Sequence, residues 1–148
     1  MSDEKFVYVT YIASTPEKIW DALLKSELTK QYWGHQNACD GNWEKGNQWK
    51  HLADDEKQTL KLVGEVLEVE PHKRLVLSWI SPERLPDPTK HTRVEIKLEP
   101  AGDMVRLTVI HDQLYPEMHA GISKGWPWVL SRLKSFLETG RVPNASIR

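Results

Sequence analysis

Residues 122–137 read ISKGWPWVLSRLKSFL. Ile122, Trp126, Val129, Leu130, Leu133 and Leu137 recur at steps that place them on one face of a helix. Arg132, Lys134 and Glu138 fall on the other faces. Gly140 suits the helix C-terminus, and Pro143 follows it. Pro127 lies inside the pattern, so it either belongs to the first turn or bends a helix already begun near Glu117. A stripe this long and this apolar has to be buried against another layer.

The preceding chain supplies that layer. Phe6–Ile12 (FVYVTYI) is β-branched and aromatic and reads as a first strand. Ser14, Thr15, Pro16 and Glu17 form a helix start, followed by Ile19, Ala22 and Leu23 at helical spacing. A second short helix is expected over Glu27–Tyr32, ended by Gly34. His35 and Cys39 read as lying on a loop, with turns at Asp40-Gly41-Asn42 and Lys45-Gly46-Asn47 and a short strand around Trp43. Gln48–Leu52, Leu60–Glu70, Arg74–Ile80, Thr92–Leu98 and Met104–His111 read as strands. Charged or Gly-containing turns separate most of them, and a proline-rich loop spans Ser81–Lys90. Gly64 marks a bulge or a close approach of backbones. Successive hairpins demand an antiparallel sheet. The expected fold is α+β. A curved sheet of about six to seven strands wraps around a long C-terminal helix, with two short helices after the first strand, all in one domain over residues 1–148.

Composition narrows the function. The chain has 148 residues, 39% hydrophobic and 28% charged, which excludes a disordered chain and a helical membrane protein. Lys plus Arg is 20 against 21 for Asp plus Glu, so the basic excess of a nucleic-acid binder is missing. Cys39 is the only cysteine, so neither an internal disulfide nor a Cys-rich zinc site can form. The opening MSDEKFVYVTYI is acidic where a secretory signal is basic, and no apolar run is long enough for membrane insertion. A reduced, cytoplasmic protein is expected, and the Asn144-Ala145-Ser146 sequon then reads as chance.

Catalytic patterns are sparse. There is no G-x-S-x-G elbow, and His35 is a weak partner for Cys39 on a loop. The G-x-G-x-x-G and G-x-x-x-x-G-K fingerprints are absent, so no cofactor is expected. His35, His51, His72, His91, His111 and His119 are scattered without a His-x-x-x-His pair, so no metal is expected either. Lys45, Trp49, Lys50 and His51 mix basic and aromatic residues as a single-strand binder does, but Asp54, Asp55 and Glu56 oppose that.

Seven tryptophans, Trp20, Trp33, Trp43, Trp49, Trp79, Trp126 and Trp128, imply an aromatic interior, an aromatic binding surface or both. His111 ends an apolar strand face. It is either a histidine satisfied in place or a polar group pointing into a cavity beside Trp126. Apolar cavities with a few placed polar groups bind small molecules. The candidate lining is Tyr8 (or Tyr11), Trp33, Leu75, Leu77, Trp79, Val94, Ile96, Val109, His111, Ile122, Trp126 and Leu130.

Several stretches together resemble the START-like (SRPBCC, or Bet v 1-like) superfamily. Within it they are similar to the branch of the C-terminal domain of the activator of Hsp90 ATPase. Ala13–Leu23 (ASTPEKIWDAL) is similar to that branch's opening A-x-x-E-x-V-W-x-A-L, and Leu28–Trp33 to its L-x-x-W helix. Gly64–Leu75 (GEVLEVEPHKRL) is similar to G-x-V-x-E-x-x-P-x-x-R-L. Leu107–Asp112 and Gly125–Leu137 resemble the last strand and helix. The resemblance implies a helix-grip fold with a deep cavity between sheet and helix; superfamily members hold lipids, sterols or aromatic polyketides, and some convert them. It carries over no catalytic residue. The leading expectation is a carrier of a small hydrophobic, aromatic or lipid-like ligand. The alternative is an enzyme on such a ligand with His111 as acid–base. A third reading is a protein-interaction module, as a homodimer or chaperone partner, which exposed Trp43, Trp49 or Trp128 would favour.

Overall fold

The computed structural model describes residues 4–39, 41–53 and 56–143. The readings that fell on Asp40, Asp54, Asp55 and the Asn144–Ser146 sequon lie outside these residues. Strand β1 (Glu4–Ile12) leads into helices α1 (Pro16–Leu24) and α2 (Ser26–Tyr32). Strands β2 (His35–Cys39), β3 (Gln48–Ala53), β4 (Leu60–Glu70), β5 (Arg74–Trp79), β6 (Thr92–Ala101) and β7 (Met104–Leu114) follow, and α3 (His119–Thr139) closes the chain. They form one seven-stranded, curved antiparallel sheet in the order β1-β7-β6-β5-β4-β3-β2.

Thr15 caps α1 by accepting from the Lys18 N–H at 3.2 Å, and Pro16 occupies the first turn. Two expectations need correction. Residues 35–39 are a strand, not a loop, while Trp43 sits in a turn. The segment HQNAC lacks an apolar alternation; it is a strand because β3 pairs with it, from His35↔Ala53 to Cys39↔Trp49. Strand β7 runs past His111 to Leu114, still paired with β1, and Gln113 adopts φ 59 there. Pro127 lies in the interior of α3, the second of the two placements expected from the sequence, and removes one N–H from the helical ladder.

The inner face of the sheet carries Leu75, Leu77 and Trp79 from β5, Val94, Ile96 and Leu98 from β6, and Val105, Leu107 and Val109 from β7. The register sets Leu75 opposite Ile96, Leu77 opposite Val94, and Ile96 opposite Val109, so these side chains form continuous rows. Trp126, Val129, Leu130 and Leu133 of α3 close over them. The stripe of α3 is therefore buried against the sheet, as its spacing demands. Lys134 Nζ donates to Tyr11 O at 2.6 Å, and Glu138 accepts from the Ala13 N–H at 2.7 Å, which fastens α3 to the end of β1.

Gly64 is required by a close approach. A Cβ there would stand 1.9 Å from Ser78 O and 2.3 Å from Trp49 Nε1. The bare backbone lets the Trp49 indole lie across β4 and donate to Ser78 O at 2.9 Å. The outer face carries ion pairs instead: Arg74 with Glu68 and Glu95, Arg93 with Asp112, and Arg106 with Glu99. On β1, Val7, Val9 and Tyr11 are exposed, while Phe6, Tyr8 and Ile12 turn inward.

Candidate functional site

Under the N-terminal half of α3 the inner face becomes aromatic. Trp79 from β5 lies 5.1 Å from Trp49 of β3 and 5.4 Å from Trp126 of α3, centroid to centroid. Trp33, at the C-terminus of α2, closes the group. Its ring stands 4.6 Å from His51, 5.6 Å from Trp126 and 6.2 Å from Trp79. Trp49, Trp79 and Trp126 are buried, whereas Trp33 is half-buried. Gly34 follows Trp33 with φ 85, a conformation that glycine adopts without strain.

His111 is built into a closed hydrogen-bond chain. The Thr92 hydroxyl donates to Trp79 O at 2.7 Å, so its oxygen accepts from His111 Nε2–H at 2.8 Å. Trp126 Nε1–H donates to His111 Nδ1 at 3.1 Å. This chain fixes the neutral tautomer with its proton on Nε2 and engages both ring nitrogens. Burial pushes the His111 pKa down to about 3, so the ring carries no charge near neutral pH. Bound in this way, the imidazole offers a substrate neither a free lone pair nor an acidic proton.

His51 and Asn37 differ. They face each other across the β2–β3 ladder and project to the inner face. Asn37 Nδ2 donates to Leu23 O, and the Asn37 N–H donates to Thr29 Oγ1 at 3.0 Å, which ties β2 to the C-terminal end of α1 and to the middle of α2. Tyr32 helps from α2: its hydroxyl donates to Ala22 O at 2.8 Å, and burial raises its pKa. Asn37 Oδ1, His51 Nδ1 and His35 Nδ1 have no hydrogen-bond partner among the described residues. Burial lowers the His51 pKa to about 3, with the nearby His35 adding to it. His35 itself is lowered by burial and by the charge of Lys61.

Asn37, His51, Trp33, Trp49 and Trp79 surround a cavity with Leu23, Leu24, Leu75, Leu77 and Ile96. Its volume is about 10 Å³, room for one water. Where the resemblance implies a deep cavity, the rings of Trp33, Trp49, Trp79 and Trp126 pack against one another. Of the sequence-derived candidates, Trp33, Leu75, Leu77, Trp79 and Ile96 line it. His111 and Trp126 stand one ring away. Val94, Val109 and Leu130 belong to the general core, with Tyr8 and Ile122 packed at its margin. Tyr11 faces outward. Asn37, Trp49 and His51 were missing from the candidates, although β3 alternates Trp49, His51 and Ala53 inward.

Trp49 and His51 are both 1% exposed, so they offer no stacking platform to a nucleic acid. Trp43 and Trp128 are half-buried, so none of the three tryptophans that would mark an interaction surface is fully exposed. Cys39 donates to Asn42 O at 3.3 Å. Among the described residues no group of three His, Cys, Asp or Glu is placed to hold a metal, and no helix is long and apolar enough to cross a membrane.

Residues 13–138 match the family model described as Activator of Hsp90 ATPase homolog 1-like protein. The chain belongs to this family. Among solved structures, a solution structure from Cytophaga hutchinsonii is 27% identical, with a TM-score of 0.75, over 95% of this chain and 98% of that one. A crystal structure from Mesorhizobium loti is 24% identical, with a TM-score of 0.76, over 94% and 100%. A solution structure of an Aha1 dimer from Colwellia psychrerythraea is 21% identical, with a TM-score of 0.73, over 93% and 98%. No curated protein matches the chain significantly. The helix-grip architecture expected from the sequence is thus the fold of this family member.

Proposed function

We propose that the chain binds a small, largely apolar aromatic ligand between the sheet and α3, with Trp33 as the movable wall of the site. The observation that carries this reading is the position of Trp33. It makes ring contacts with His51, Trp79 and Trp126, yet it stays half-buried and hangs from the last turn of a seven-residue helix, next to a glycine. Its indole occupies a slot of the size and chemistry of an aromatic ligand. Swinging it out exposes a wall of Trp49, Trp79, Leu75 and Leu77 without disturbing the sheet. The fold supports the same reading, since only the cover at α2 has to move. Within it His111 holds Trp126 and Trp79 in place.

Naphthalene binding, followed by tryptophan fluorescence and by calorimetry, tests the proposal. The native protein is expected to bind it, and Trp33→Ala to bind it at least about tenfold more tightly, because the indole no longer competes. Binding by the variant alone would show only an engineered cavity and would contradict the reading, as would binding by neither.

A further inference from the structure

One corner of the proposed site is polar, and the aromatic wall does not account for it. Asn37 and His51 are cross-strand partners on the same face of the β2–β3 ladder. Partners of this kind have Cβ atoms about 5 Å apart. They are 7% and 1% exposed. The amide nitrogen of Asn37 is committed to Leu23 O, which directs Oδ1 away from α1. Asn37 Oδ1 and His51 Nδ1 are left without partners among the described residues, and both side chains line the cavity beside Trp33, Trp49 and Trp79. Buried polar atoms are nearly always paired, so two adjacent orphans on a cavity wall call for one group that satisfies both.

We propose that Asn37 and His51 anchor a neutral hydroxyl group on the aromatic ligand, so that the site selects phenol-type molecules over hydrocarbons and over carboxylates. This rests on the ligand-binding reading above. A hydroxyl is both donor and acceptor. It donates to Asn37 Oδ1 and accepts from His51 in the tautomer that carries its proton on Nδ1. A hydrocarbon leaves both atoms unpaired. A carboxylate places a charge against Asn37 Oδ1 in a cavity whose lining holds no cation, because His51 is kept neutral by its burial.

The test compares 2-naphthol, naphthalene and 2-naphthoate on the native protein and on His51→Leu. The latter is preferred to Asn37→Leu, which would also strip a carbonyl cap from α1. The native protein is expected to bind 2-naphthol about tenfold more tightly than naphthalene and 2-naphthoate most weakly. In His51→Leu the preference for 2-naphthol over naphthalene is expected to fall close to one. Equal binding of 2-naphthol and naphthalene by the native protein, tightest binding of 2-naphthoate, or a preference unchanged in His51→Leu would overturn the anchor while leaving the ligand site standing. Binding of none of the three would overturn the ligand site and the anchor with it.

Discussion

His51 and His111 stand in one aromatic cluster, on either side of Trp79, and burial keeps both neutral. They differ in what their nitrogens do. His111 is enclosed by Thr92 and Trp126 and completes a chain that ends on Trp79 O. His51 faces Asn37 with its Nδ1 unpaired. The first arrangement is architecture: a buried imidazole that meets the needs of its neighbours holds them in one geometry. The second keeps its hydrogen-bonding capacity for something else. Residue type and burial are nearly the same in the two cases, so satisfaction is the property that separates them.

The largest effect should come from breaking the closed chain. His111→Leu orphans the Trp126 N–H and removes the donor to Thr92, and is expected to cost about 3 kcal/mol in urea unfolding. His51→Leu removes an atom that is already unpaired and should stay within about 1 kcal/mol of the native protein. Equal losses in the two variants would erase the distinction.

Acid sharpens what the two have in common. Both folded pKa values lie near 3, below the 6.5 of an exposed histidine. The unfolded chain therefore binds more protons than the folded one in this window. Stability is complete above pH 6.5 and falls as the pH drops toward 3, by about 1.4 kcal/mol per pH unit for each histidine. Above about pH 5 the carboxylates stay ionised in both states, so the slope between there and 6.5 reports the histidines. Urea unfolding across that range should show the decline, and either Leu variant should reduce its slope by about one proton. A flat profile would mean that the rings are not held neutral by burial.

The architecture was legible because its signals are periodic. The spacing from Ile122 to Leu137 requires a covered helix, and the alternation of Val94, Ile96 and Leu98 requires a half-buried strand facing it. Gly64 was legible as a bulge or a close approach, because a strand interior without a side chain needs a cause, and the structure decides for the close approach. The site was only half legible. Trp79 and His111 close apolar strand faces that can be traced in the chain, and Trp126 belongs to the apolar stripe of α3. Asn37 could not be found, because HQNAC has no pattern of its own and becomes a strand only by pairing with β3. With β2 read as loop, His51 had no cross-strand partner. Proximity in sequence groups it with Trp49 and Lys50, although the strand sends Trp49 and His51 to the inside. Pairing between strands is tertiary information, and the open polar pair exists only at that level.

The most direct measurement is the ring ¹⁵N spectrum of the histidines as 2-naphthol is added. The account predicts that the His51 Nδ1 resonance moves as the hydroxyl engages it, while both His111 nitrogens stay close to their positions in the free protein, with Nε2 protonated. A shift centred on His111, or no shift at His51 when 2-naphthol is bound, would contradict it.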